Sequence, residues 1–324
     1  RSYILMWRPP WGIADQAVPE GTRIGNCTLT FDRSMLPRAG AVIFHYTDNS
    51  IPIPWRLHRD IGQYFVFYSI ESPSFMLNVE RKTFQNLDNF FNLTMTYKEG
   101  SEVFYPYLTS RDAKEIFGRG KEFVDTIMKR EKKQLWVVSN CKALRGSKIR
   151  MKYSNEMVAA GMQIDRYGNC FGNRREYDRL QQENLPFYKF YLSFENAEHC
   201  KDYITEKFWA RGILDGRVPV VWGPSKADVT RLAPPGSFIH ADDFKSPAKL
   251  AKYLMVLDKN DTAYREYFAW VEKPSGAWKE RLLKLYSKTR EELLCDIVME
   301  HKINKVIPSI YDDLYKDEAK SCLA

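Results

Sequence analysis

The sequence predicts an α/β protein of two domains, the second of which carries a parallel, doubly wound sheet. The chain has 324 residues, more than the roughly 250 at which a single hydrophobic core stops growing. Hydrophobic residues make up 44% of it, enough to bury substantial cores and to exclude a disordered chain. From Leu135 onward, short apolar runs alternate with helical segments, which is typical of a parallel sheet.

Apolar runs predict buried strands in the first third of the chain. They cover residues 3–6, 41–45 and 64–70. A charged segment follows, and residues 116–133 are predicted to form an exposed connecting helix. Because this helix gives way to a strand at Leu135, we place the boundary near Lys133. The predicted domains are therefore residues 1–133, with the connecting helix, and residues 134–324.

The second domain is predicted from strands and helices that follow one another regularly. The strands cover residues 135–138, 163–167, 190–194 and 218–222, and the helices cover 149–160, 204–214 and 247–257. The last helix has clear boundaries, since Ser246 can cap it and Pro247 suits its first position. Leu250, Tyr253, Leu254 and Leu257 follow one face of that helix and are predicted to face the core.

The positive charge of the chain is concentrated in one segment. The formal net charge is +8, and residues 111–152 carry 13 basic and 5 acidic side chains, which accounts for the whole excess. Such a concentration favours a localised anionic ligand over a nucleic acid. A nucleic-acid-binding protein is the alternative that the net charge suggests, and it would bind any oligonucleotide with a steep salt dependence.

The compartment is indicated by cysteines, sequons and hydropathy. The six cysteines contain no Cys-x-x-Cys pair and no zinc-type spacing, so disulfides are expected and a metal site is not. Asn26, Asn92 and Asn260 begin Asn-x-Thr sequons and are predicted N-glycosylation sites, which favours the secretory pathway. No apolar run approaches the roughly 18 residues of a membrane span, and Arg1 begins no signal peptide, so we expect a soluble chain.

Candidate ligand-binding residues follow the predicted strands, because open α/β sheets bind ligands beyond the carboxyl ends of their strands. Ser139 and Asn140 follow one strand, and Glu195 and Asn196 follow another. No Gly-x-Gly-x-x-Gly or Walker pattern accompanies them, so an ordinary dinucleotide or P-loop fold is not supported.

Two cations are candidates for binding a phosphate. Lys207 lies in the first turn of a predicted helix, where a bound phosphate would explain a cation, and Glu206 beside it can accept hydrogen bonds from a ribose. Arg150, at the start of another helix, can bind two phosphate oxygens at once. The alternative is that all three are solvated surface residues.

Glu71 is the candidate general base in the first domain. It follows the apolar run 64–70 and precedes Ser72-Pro73, so its carboxylate is expected at the end of a buried strand, where a raised pKa would let it accept a proton. A capping or salt-bridged glutamate is the alternative. His45 also ends a predicted strand, and there a hydrogen-bonded structural histidine is favoured.

The motifs of the second domain resemble those of the α1,3/4-fucosyltransferases, glycosyltransferase family 10. The likeness is carried by residues 190–196 (FYLSFEN), 201–207 (KDYITEK), 218–221 (VPVV), Gly223-Pro224, 237–240 and 243–247. Residues 138–140, 29–34, 41–45, 71–73 and 91–94 extend it over roughly residues 26–270. This long ordered match is more specific than any single short motif.

The resemblance implies a GT-B fold, with two Rossmann-like domains facing a central cleft, the first binding the acceptor and the second GDP-fucose. It implies that Glu71 is the catalytic base, and His45 is an acceptor-side candidate. The donor-site residues implied by the resemblance and by strand ends are Ser139, Asn140, Arg150, Tyr167, Gly168, Glu195, Asn196, Tyr203, Glu206 and Lys207. Family members are type II membrane proteins of the Golgi, so the lumen is the expected location, with an anchor upstream of Arg1.

The resemblance implies an inverting α1,3-fucosyl transfer to a GlcNAc-containing glycan. The sequence contains no Asp-x-Asp, so we expect a metal-independent reaction with no cofactor and with cationic side chains in place of a metal. Cys141, Cys170 and Cys200 resemble cysteines of the members that modify the N-glycan core, which suggests that acceptor. Lewis-type fucosylation of N-acetyllactosamine and a catalytically idle sugar-binding relative stay open as alternatives.

Overall fold

The computed structural model divides the chain into two units with separate sheets. It describes residues 2–7, 10, 18–47, 52–182, 188–318 and 322. Unit 1 comprises residues 1–106 together with 288–324, and unit 2 comprises residues 107–287. The middle of the chain is thus one unit, and the two ends of the chain build the other.

Strands and helices are numbered here in chain order. The strands are β1 (Tyr3–Met6), β2 (Arg23–Ile24), β3 (Cys27–Thr30), β4 (Ala39–His45), β5 (Tyr64–Tyr68), β6 (Leu93–Thr96), β7 (Val103–Phe104), β8 (Lys132–Val137), β9 (Asp165–Tyr167), β10 (Tyr188–Phe194), β11 (Val218–Trp222) and β12 (Ile239–His240). The helices are α1 (Pro73–Asn78), α2 (Ser110–Phe117), α3 (Lys121–Ile127), α4 (Arg145–Ala159), α5 (Arg174–Gln182), α6 (Glu206–Phe208), α7 (Lys226–Leu232), α8 (Pro247–Leu257), α9 (Asp261–Arg265), α10 (Ala269–Glu272), α11 (Trp278–Leu285), α12 (Arg290–Glu300) and α13 (Ile310–Leu314). Residues Trp209–Leu214 continue α6 as a π-helix.

Unit 1 is built on a seven-stranded sheet with the order β2-β3-β1-β4-β5-β6-β7. The neighbouring pairs β3–β1, β1–β4, β4–β5, β5–β6 and β6–β7 are parallel, whereas β2 and β3 form an antiparallel hairpin. Parallel sheets are buried on both faces, and every residue of β5 is accordingly buried. His45 pairs with Tyr68, so β4 and β5 end side by side.

The C-terminal segment of the chain completes both faces of the unit 1 sheet. On one face Leu294, Cys295 and Val298 of α12 join the cluster that contains Ile4, Val66 and other strand residues. On the other face Ile307, Ile310 and Leu314 pack with Val42, Phe65 and their neighbours. The Cys27–Cys295 disulfide joins β3 to α12.

Unit 2 is built on a five-stranded sheet with the order β12-β11-β10-β8-β9. Each of its strand pairs is parallel, so all the carboxyl ends lie along the same edge. The doubly wound parallel sheet that the alternating pattern predicts is therefore present.

The unit boundary differs from the one predicted near Lys133. Residues 116–133 are not one connecting helix, because Gly118 ends α2, Gly120 precedes α3, and β8 begins at Lys132. The Arg119 guanidinium donates to the carbonyls of Ile213 and Leu214, which attaches this segment to unit 2. The segment after Lys288, predicted to close the second domain, belongs to unit 1 instead.

Helix α8 has the predicted boundaries and the predicted cap. The Ser246 side chain accepts a hydrogen bond from the Lys249 amide, and Pro247 occupies the first turn. Leu250, Leu254 and Leu257 are buried as predicted. The prediction was wrong for Tyr253, which is 37% exposed and shares a hydrogen bond of 2.6 Å with the Tyr267 hydroxyl.

The cysteines are oxidised, as predicted. Cys27 pairs with Cys295 and Cys141 with Cys170, and no cysteine of the described residues is free. Each of these two disulfides lies within one unit. Among the described residues, none of the helices combines the length and the apolar character that a membrane span requires.

The three sequons differ in their surroundings. Asn26, at the turn of the β2–β3 hairpin, and Asn260, which caps α9, are both exposed and suit a glycan. Asn92 does not, because it is 7% exposed, accepts a hydrogen bond from the Phe65 amide and donates one to the Lys305 carbonyl. A glycan on the Asn92 amide nitrogen would displace its hydrogen bond to the Lys305 carbonyl. The structure therefore argues against the predicted N-glycosylation of Asn92.

Gly168, directly after β9, has a backbone conformation that other residues rarely adopt, with φ 108° and ψ −178°. A Cβ there would lie 2.2 Å from the Val138 carbonyl oxygen. We expect Gly168→Ala to lower the free energy of unfolding by more than about 3 kcal/mol, since backbone strain and steric overlap add. Urea unfolding measures the loss.

Gly161→Ala is the matched control. Gly161 has φ 95°, but apart from its chain neighbours no atom of the described residues lies within 4 Å of the place that a Cβ would occupy. The substitution should therefore cost only the strain, about 1–2 kcal/mol. Equal losses in the two variants would contradict a steric requirement for glycine after β9.

Candidate active site

The predicted donor-site residues of unit 2 meet along one edge of its sheet. Ser139 and Asn140 follow β8, Gly168 follows β9, and Glu195 and Asn196 follow β10. Because β9, β8 and β10 are neighbours in the sheet and run in parallel, these residues lie at adjacent carboxyl ends. This is where open α/β sheets bind ligands.

The segments after β8 and β9 are joined to each other. The Val138 amide donates to the Tyr167 carbonyl at 2.8 Å, and the Asn169 amide donates to the Ser139 hydroxyl oxygen at 3.3 Å. The Cys141–Cys170 disulfide joins the same two segments covalently. Ser139 is therefore held in place while its side chain stays exposed.

Asn140 holds the start of α4. Its side-chain oxygen accepts hydrogen bonds from the Ser147 hydroxyl at 2.9 Å and from the Ala143 amide at 3.1 Å. Leu144, the residue before α4, provides no side-chain cap. Asn140 thus orients the beginning of this helix against the edge of the sheet.

Gly146 allows α4 to approach the end of β10 closely. A Cβ on Gly146 would lie 2.5 Å from the Asn196 carbonyl oxygen. The side-chain oxygen of Asn196 is buried and has no hydrogen-bond partner among the residues that the structure describes. Gly146 is not among the predicted site residues, because the predicted helix begins only at residue 149 and Gly146 lies outside it.

Arg150 lies deeper in α4 than predicted, since the helix begins at Arg145. Arg150 is 2% exposed, and its two Nη atoms donate to the carbonyls of Phe194 at 2.7 Å and Asn140 at 2.8 Å. It therefore joins the ends of β8 and β10. Burial lowers its pKa, against the opposing effect of Glu195, but a guanidinium stays charged in proteins.

Glu195 is a buried carboxylate that organises the start of α6. One of its oxygens accepts hydrogen bonds from the Thr205 amide at 3.0 Å and the Thr205 hydroxyl at 2.7 Å. Its other oxygen forms an ion pair with the Lys207 ammonium at 3.0 Å. Thr205 is also the residue that caps α6.

Lys207 lies in the first turn of α6, as predicted, but it is paired and not simply solvated. Its ammonium lies 3.0 Å from Glu195, 3.1 Å from Glu206 and 2.9 Å from the Thr205 hydroxyl. Burial alone would lower its pKa, but attraction to Glu195 and Glu206 outweighs that effect and raises it. The ammonium is thus held charged at the edge of the sheet.

Glu206 is half exposed at the same place. Burial raises its pKa, but the charge of Lys207 and hydrogen bonds outweigh that effect and lower it. The carboxylate is therefore ionised and can accept hydrogen bonds.

Two predicted tyrosines of the site pack against other rings. Tyr203 is buried, with its ring 6.3 Å from that of Tyr107. Tyr167 packs its ring 5.8 Å from that of Tyr177.

Glu71 lies at the carboxyl edge of the unit 1 sheet, past the end of β5. Its amide donates to the Ser69 hydroxyl oxygen at 3.3 Å. Directly after it, the Ser72 hydroxyl oxygen caps α1 by accepting from the Phe75 amide, and Pro73 takes the first helical position. The chain on both sides of the carboxylate is therefore fixed, as the Ser72-Pro73 pair predicts.

His45 ends β4 next to Tyr68, which binds a buried cation, Arg290, that is not among the predicted site residues. Its ring lies 4.9 Å from the ring of Tyr68, whose hydroxyl accepts a hydrogen bond from Arg290 at 2.9 Å. The Arg290 guanidinium also lies 4.3 Å from the Tyr105 ring centroid. Burial raises the pKa of Tyr68, against the lowering effect of Arg290, so its hydroxyl stays protonated.

Family models match both units of the chain. The model described as fucosyltransferase, N-terminal, matches residues 1–108, and that of glycosyltransferase family 10 (fucosyltransferase) C-term matches residues 127–317.

Relatives and solved structures agree with these matches. A 3-galactosyl-N-acetylglucosaminide 4-alpha-L-fucosyltransferase of Bos taurus is 38% identical over 82% of this chain and 71% of its own. A 4-galactosyl-N-acetylglucosaminide 3-alpha-L-fucosyltransferase of Homo sapiens is 35% identical over 89% and 76%. A crystal structure of an alpha1,3-fucosyltransferase, 17% identical, matches 86% of this chain and 82% of its own with a TM-score of 0.55.

A crystal structure of an alpha1,3-fucosyltransferase with GDP matches with a TM-score of 0.52, at 17% identity, over 87% of this chain and 83% of its own. These two likenesses confirm the predicted α/β fold class, GT-B. The resemblance found in the sequence motifs is also confirmed: the chain belongs to glycosyltransferase family 10, the family of the α1,3/4-fucosyltransferases, and is an enzyme of that class.

Proposed function

We propose that the protein transfers fucose from GDP-fucose to a hydroxyl of a GlcNAc-containing glycan. The observation that carries this proposal is the 35% identity, over 89% of the chain, to an enzyme named as a 4-galactosyl-N-acetylglucosaminide 3-alpha-L-fucosyltransferase. The substrates of the reaction are thus a nucleotide sugar and a glycan acceptor, and no nucleic acid takes part.

The carboxyl edge of the unit 2 sheet is proposed as the GDP-fucose site. Lys207, held charged by its two glutamates, would stabilise the negative charge that the diphosphate gains as GDP leaves. Glu206 is ionised and half exposed, which suits it to accept hydrogen bonds from ribose hydroxyls. The residues proposed to complete the site are Ser139, Asn140, Tyr167, Gly168, Glu195, Asn196 and Tyr203.

Arg150 has a different part in this proposal from the one that the sequence suggests. Its Nη atoms donate hydrogen bonds to the Phe194 and Asn140 carbonyls, and its Nε has no hydrogen-bond partner within the described part of the chain. We propose that Arg150 holds the ends of β8 and β10 in place at the proposed GDP-fucose site. Its buried positive charge also acts on the diphosphate, because few solvent molecules screen it.

Glu71 is proposed as the general base of an inverting displacement. The acceptor oxygen attacks the anomeric carbon of fucose and forms the new C–O bond, while the bond from that carbon to the phosphate oxygen breaks. The hydroxyl proton passes to the Glu71 carboxylate, and the bonding electrons leave with GDP. A carboxylate fixed between β5 and α1 suits this transfer, because general bases depend on position.

A metal-independent reaction is proposed, because the sequence contains no Asp-x-Asp to hold a divalent ion on the diphosphate. The cations Lys207 and Arg150 take the electrostatic part that a metal would otherwise have. No other cofactor is proposed.

Two acceptors are proposed, each on a separate observation. The names of the relatives favour a galactosylated GlcNAc, the antenna type of acceptor. The Cys141–Cys170 disulfide favours the N-glycan core, since cysteines at these places resemble those of core-modifying members. The Golgi lumen is the proposed location, with a membrane anchor upstream of this chain, as is typical of the family.

An acceptor panel with GDP-fucose tests the function. It compares N-acetyllactosamine, Lewis-type precursors and trimmed N-glycan cores, with the linkage of each product determined. We expect transfer to the 3-hydroxyl of GlcNAc in one of these classes. Intact protein that turns over none of them would favour the catalytically idle alternative.

Glu71→Gln should retain GDP-fucose affinity while kcat falls by about two orders of magnitude or more, because the amide cannot accept the hydroxyl proton. Steady-state kinetics and calorimetric titration of GDP-fucose measure the two effects. Glu300→Gln, at an exposed position of unit 1, is the control and should leave both unchanged. A Glu71→Gln variant near the wild-type rate would exclude Glu71 as the base.

Removing Lys207 should weaken GDP binding by about tenfold or more, since a charge-assisted hydrogen bond contributes about 1.5–3 kcal/mol. Lys207→Met alone leaves the buried Glu195 carboxylate without its cation, so it is combined with Glu195→Gln to preserve folding. Calorimetric titration of GDP measures affinity, and thermal unfolding verifies that the variant is folded.

Lys152→Met is the matched control, because Lys152 is an exposed cation of α4 with 80% of its side chain accessible. It should leave GDP affinity unchanged. A folded Lys207→Met, Glu195→Gln variant with wild-type affinity would remove Lys207 from the donor site.

Metal removal should have no effect on the rate. With EDTA present and the protein passed over a chelating resin, we expect the transfer rate to equal that in the presence of Mg²⁺ or Mn²⁺, because side-chain cations neutralise the leaving diphosphate. A rate abolished by EDTA and restored by either ion would contradict metal independence.

A further inference from the structure

A cavity of about 510 Å³ opens in unit 2, within the range of about 300–1,000 Å³ that is usual for small-molecule sites. Of its lining residues, Arg130 precedes β8, and Asp215 and Arg217 precede β11, so the cavity lies toward the amino edge of the sheet. The candidate active site follows the carboxyl ends of β8 and β10 instead, and β10, with seven residues, spans about 20 Å. We call this second opening the amino-edge cavity.

Three arginines line the amino-edge cavity. The side chains of Arg119 and Arg217 are 8% and 3% exposed, and Arg130 is half-buried. The carboxylates among the described lining residues are those of Glu115 and Asp215, which are 58% and 47% exposed. The cations therefore lie deeper than the carboxylates, and solvent screens the carboxylates more strongly.

The ion pairs of the cavity leave one cation in excess. Arg119 lies 3.0 Å from Glu115, and Arg217 lies 2.6 Å from Asp215. Arg130 donates instead to three backbone carbonyls, at 2.8 to 3.2 Å. Because a carbonyl carries no net charge, the described lining residues keep a surplus positive charge at Arg130.

Capping of a helix end explains only part of this arrangement. Arg119 and Arg130 donate to the carbonyls of residues 213–216, where the π-helix ends. A helix end carries about half an elementary charge, which one guanidinium would neutralise. Burial lowers the pKa of Arg130 to about 10, and repulsion from Arg217 and Arg119 contributes, against the opposing effect of Tyr264. A bound anion would relieve that repulsion.

The guanidinium groups of Arg119 and Arg130 can still donate to a ligand. A guanidinium has five N–H donors. Within the described residues, each of these two arginines donates three hydrogen bonds, all from its Nη atoms. Two N–H groups of each therefore remain, and the planar guanidinium can bind two phosphate oxygens at once.

The rest of the lining is largely apolar and aromatic. It includes Phe123, Leu135, Tyr177 and Leu214. The Arg119 guanidinium lies 4.0 Å from the Phe123 ring centroid, and this contact helps to hold both side chains in place before a ligand binds. An apolar wall beside surplus positive charge suits an organic anion better than an inorganic ion.

We propose that the amino-edge cavity binds a small organic phosphate. The phosphate oxygens accept hydrogen bonds from the remaining N–H groups of Arg119 and Arg130, and the apolar or aromatic part of the ligand packs on Phe123 and Leu214. This site is separate from the proposed GDP-fucose site, and the inference does not depend on the proposed fucosyl transfer.

Calorimetric titration of the whole chain with phenyl phosphate tests the site. Gln181, exposed near the end of α5, also lines the cavity. Gln181→Glu therefore places a carboxylate beside the ligand and keeps the carbonyl contacts of Arg119 and Arg130. We expect the variant to bind phenyl phosphate tenfold or more weakly than the wild type, because like charges repel.

Gln163→Glu is the matched control, since it makes the same substitution at an exposed residue of unit 2 that does not line the cavity. Its affinity for phenyl phosphate should equal that of the wild type. Arg130→Gln should also weaken binding tenfold or more, and thermal unfolding establishes whether this variant is folded without its carbonyl contacts. The comparison of the two glutamine variants does not depend on that result.

The outcomes that would overturn the site are specific. One is the absence of phenyl phosphate binding to the folded wild type. The other is an equal affinity of Gln181→Glu and Gln163→Glu for phenyl phosphate, which is also the result expected if the ligand bound at the proposed GDP-fucose site instead.

Discussion

The carboxylate of Glu195 is buried at the edge of the unit 2 sheet, and the geometry of that edge depends on how its charge is neutralised. Unpaired buried charge is costly, so Glu195 requires the Thr205 hydrogen bonds and the Lys207 ion pair. Those contacts place the start of α6 and the Lys207 ammonium. One residue earlier, the Phe194 carbonyl receives Arg150 from α4. The two helices that carry the cations are therefore positioned at consecutive residues of one strand end.

In both units the candidate site residues follow the carboxyl ends of parallel strands, but different contacts hold them in place. At the unit 2 edge a disulfide and side-chain hydrogen bonds join neighbouring loops, as at Ser139 and Cys141. At the unit 1 edge a capped helix start fixes the chain at Glu71, and the buried Arg290 donates a hydrogen bond to Tyr68, whose ring contacts that of His45. Parallel strands bring distant residues to one line, and the contacts between loops decide which side chains stay available for a ligand.

The bounds of several central strands and of helix α8 could be predicted from the sequence. The features that depend on tertiary contacts could not. Strands β1 and β11 and helix α8 have the predicted bounds, because apolar runs and a Ser-Pro start are local signals. Strands of two residues, such as β2 and β12, depend on their partners and leave no local pattern. The boundary near Lys133 was wrong because the attachment of Arg119 to the end of the π-helix is invisible in sequence. In the site, Glu195 and Lys207 could be located by position, but their pairing, the contacts of Arg150 and the part of Arg290 are non-local.

Unit 1 is built from two segments that are distant in the sequence, and this has a consequence for biosynthesis. Residues from α12 onward cover part of both faces of its sheet, so the apolar strands made first stay partly uncovered until residues 107–287 have been translated. At about 5–20 residues per second, this interval lasts roughly ten to forty seconds. Transiently exposed apolar surface is prone to aggregate, so the chain is most at risk of aggregation during that time. The Cys27–Cys295 bond forms only after the ribosome has released Cys295, so this disulfide is made later than Cys141–Cys170 can be.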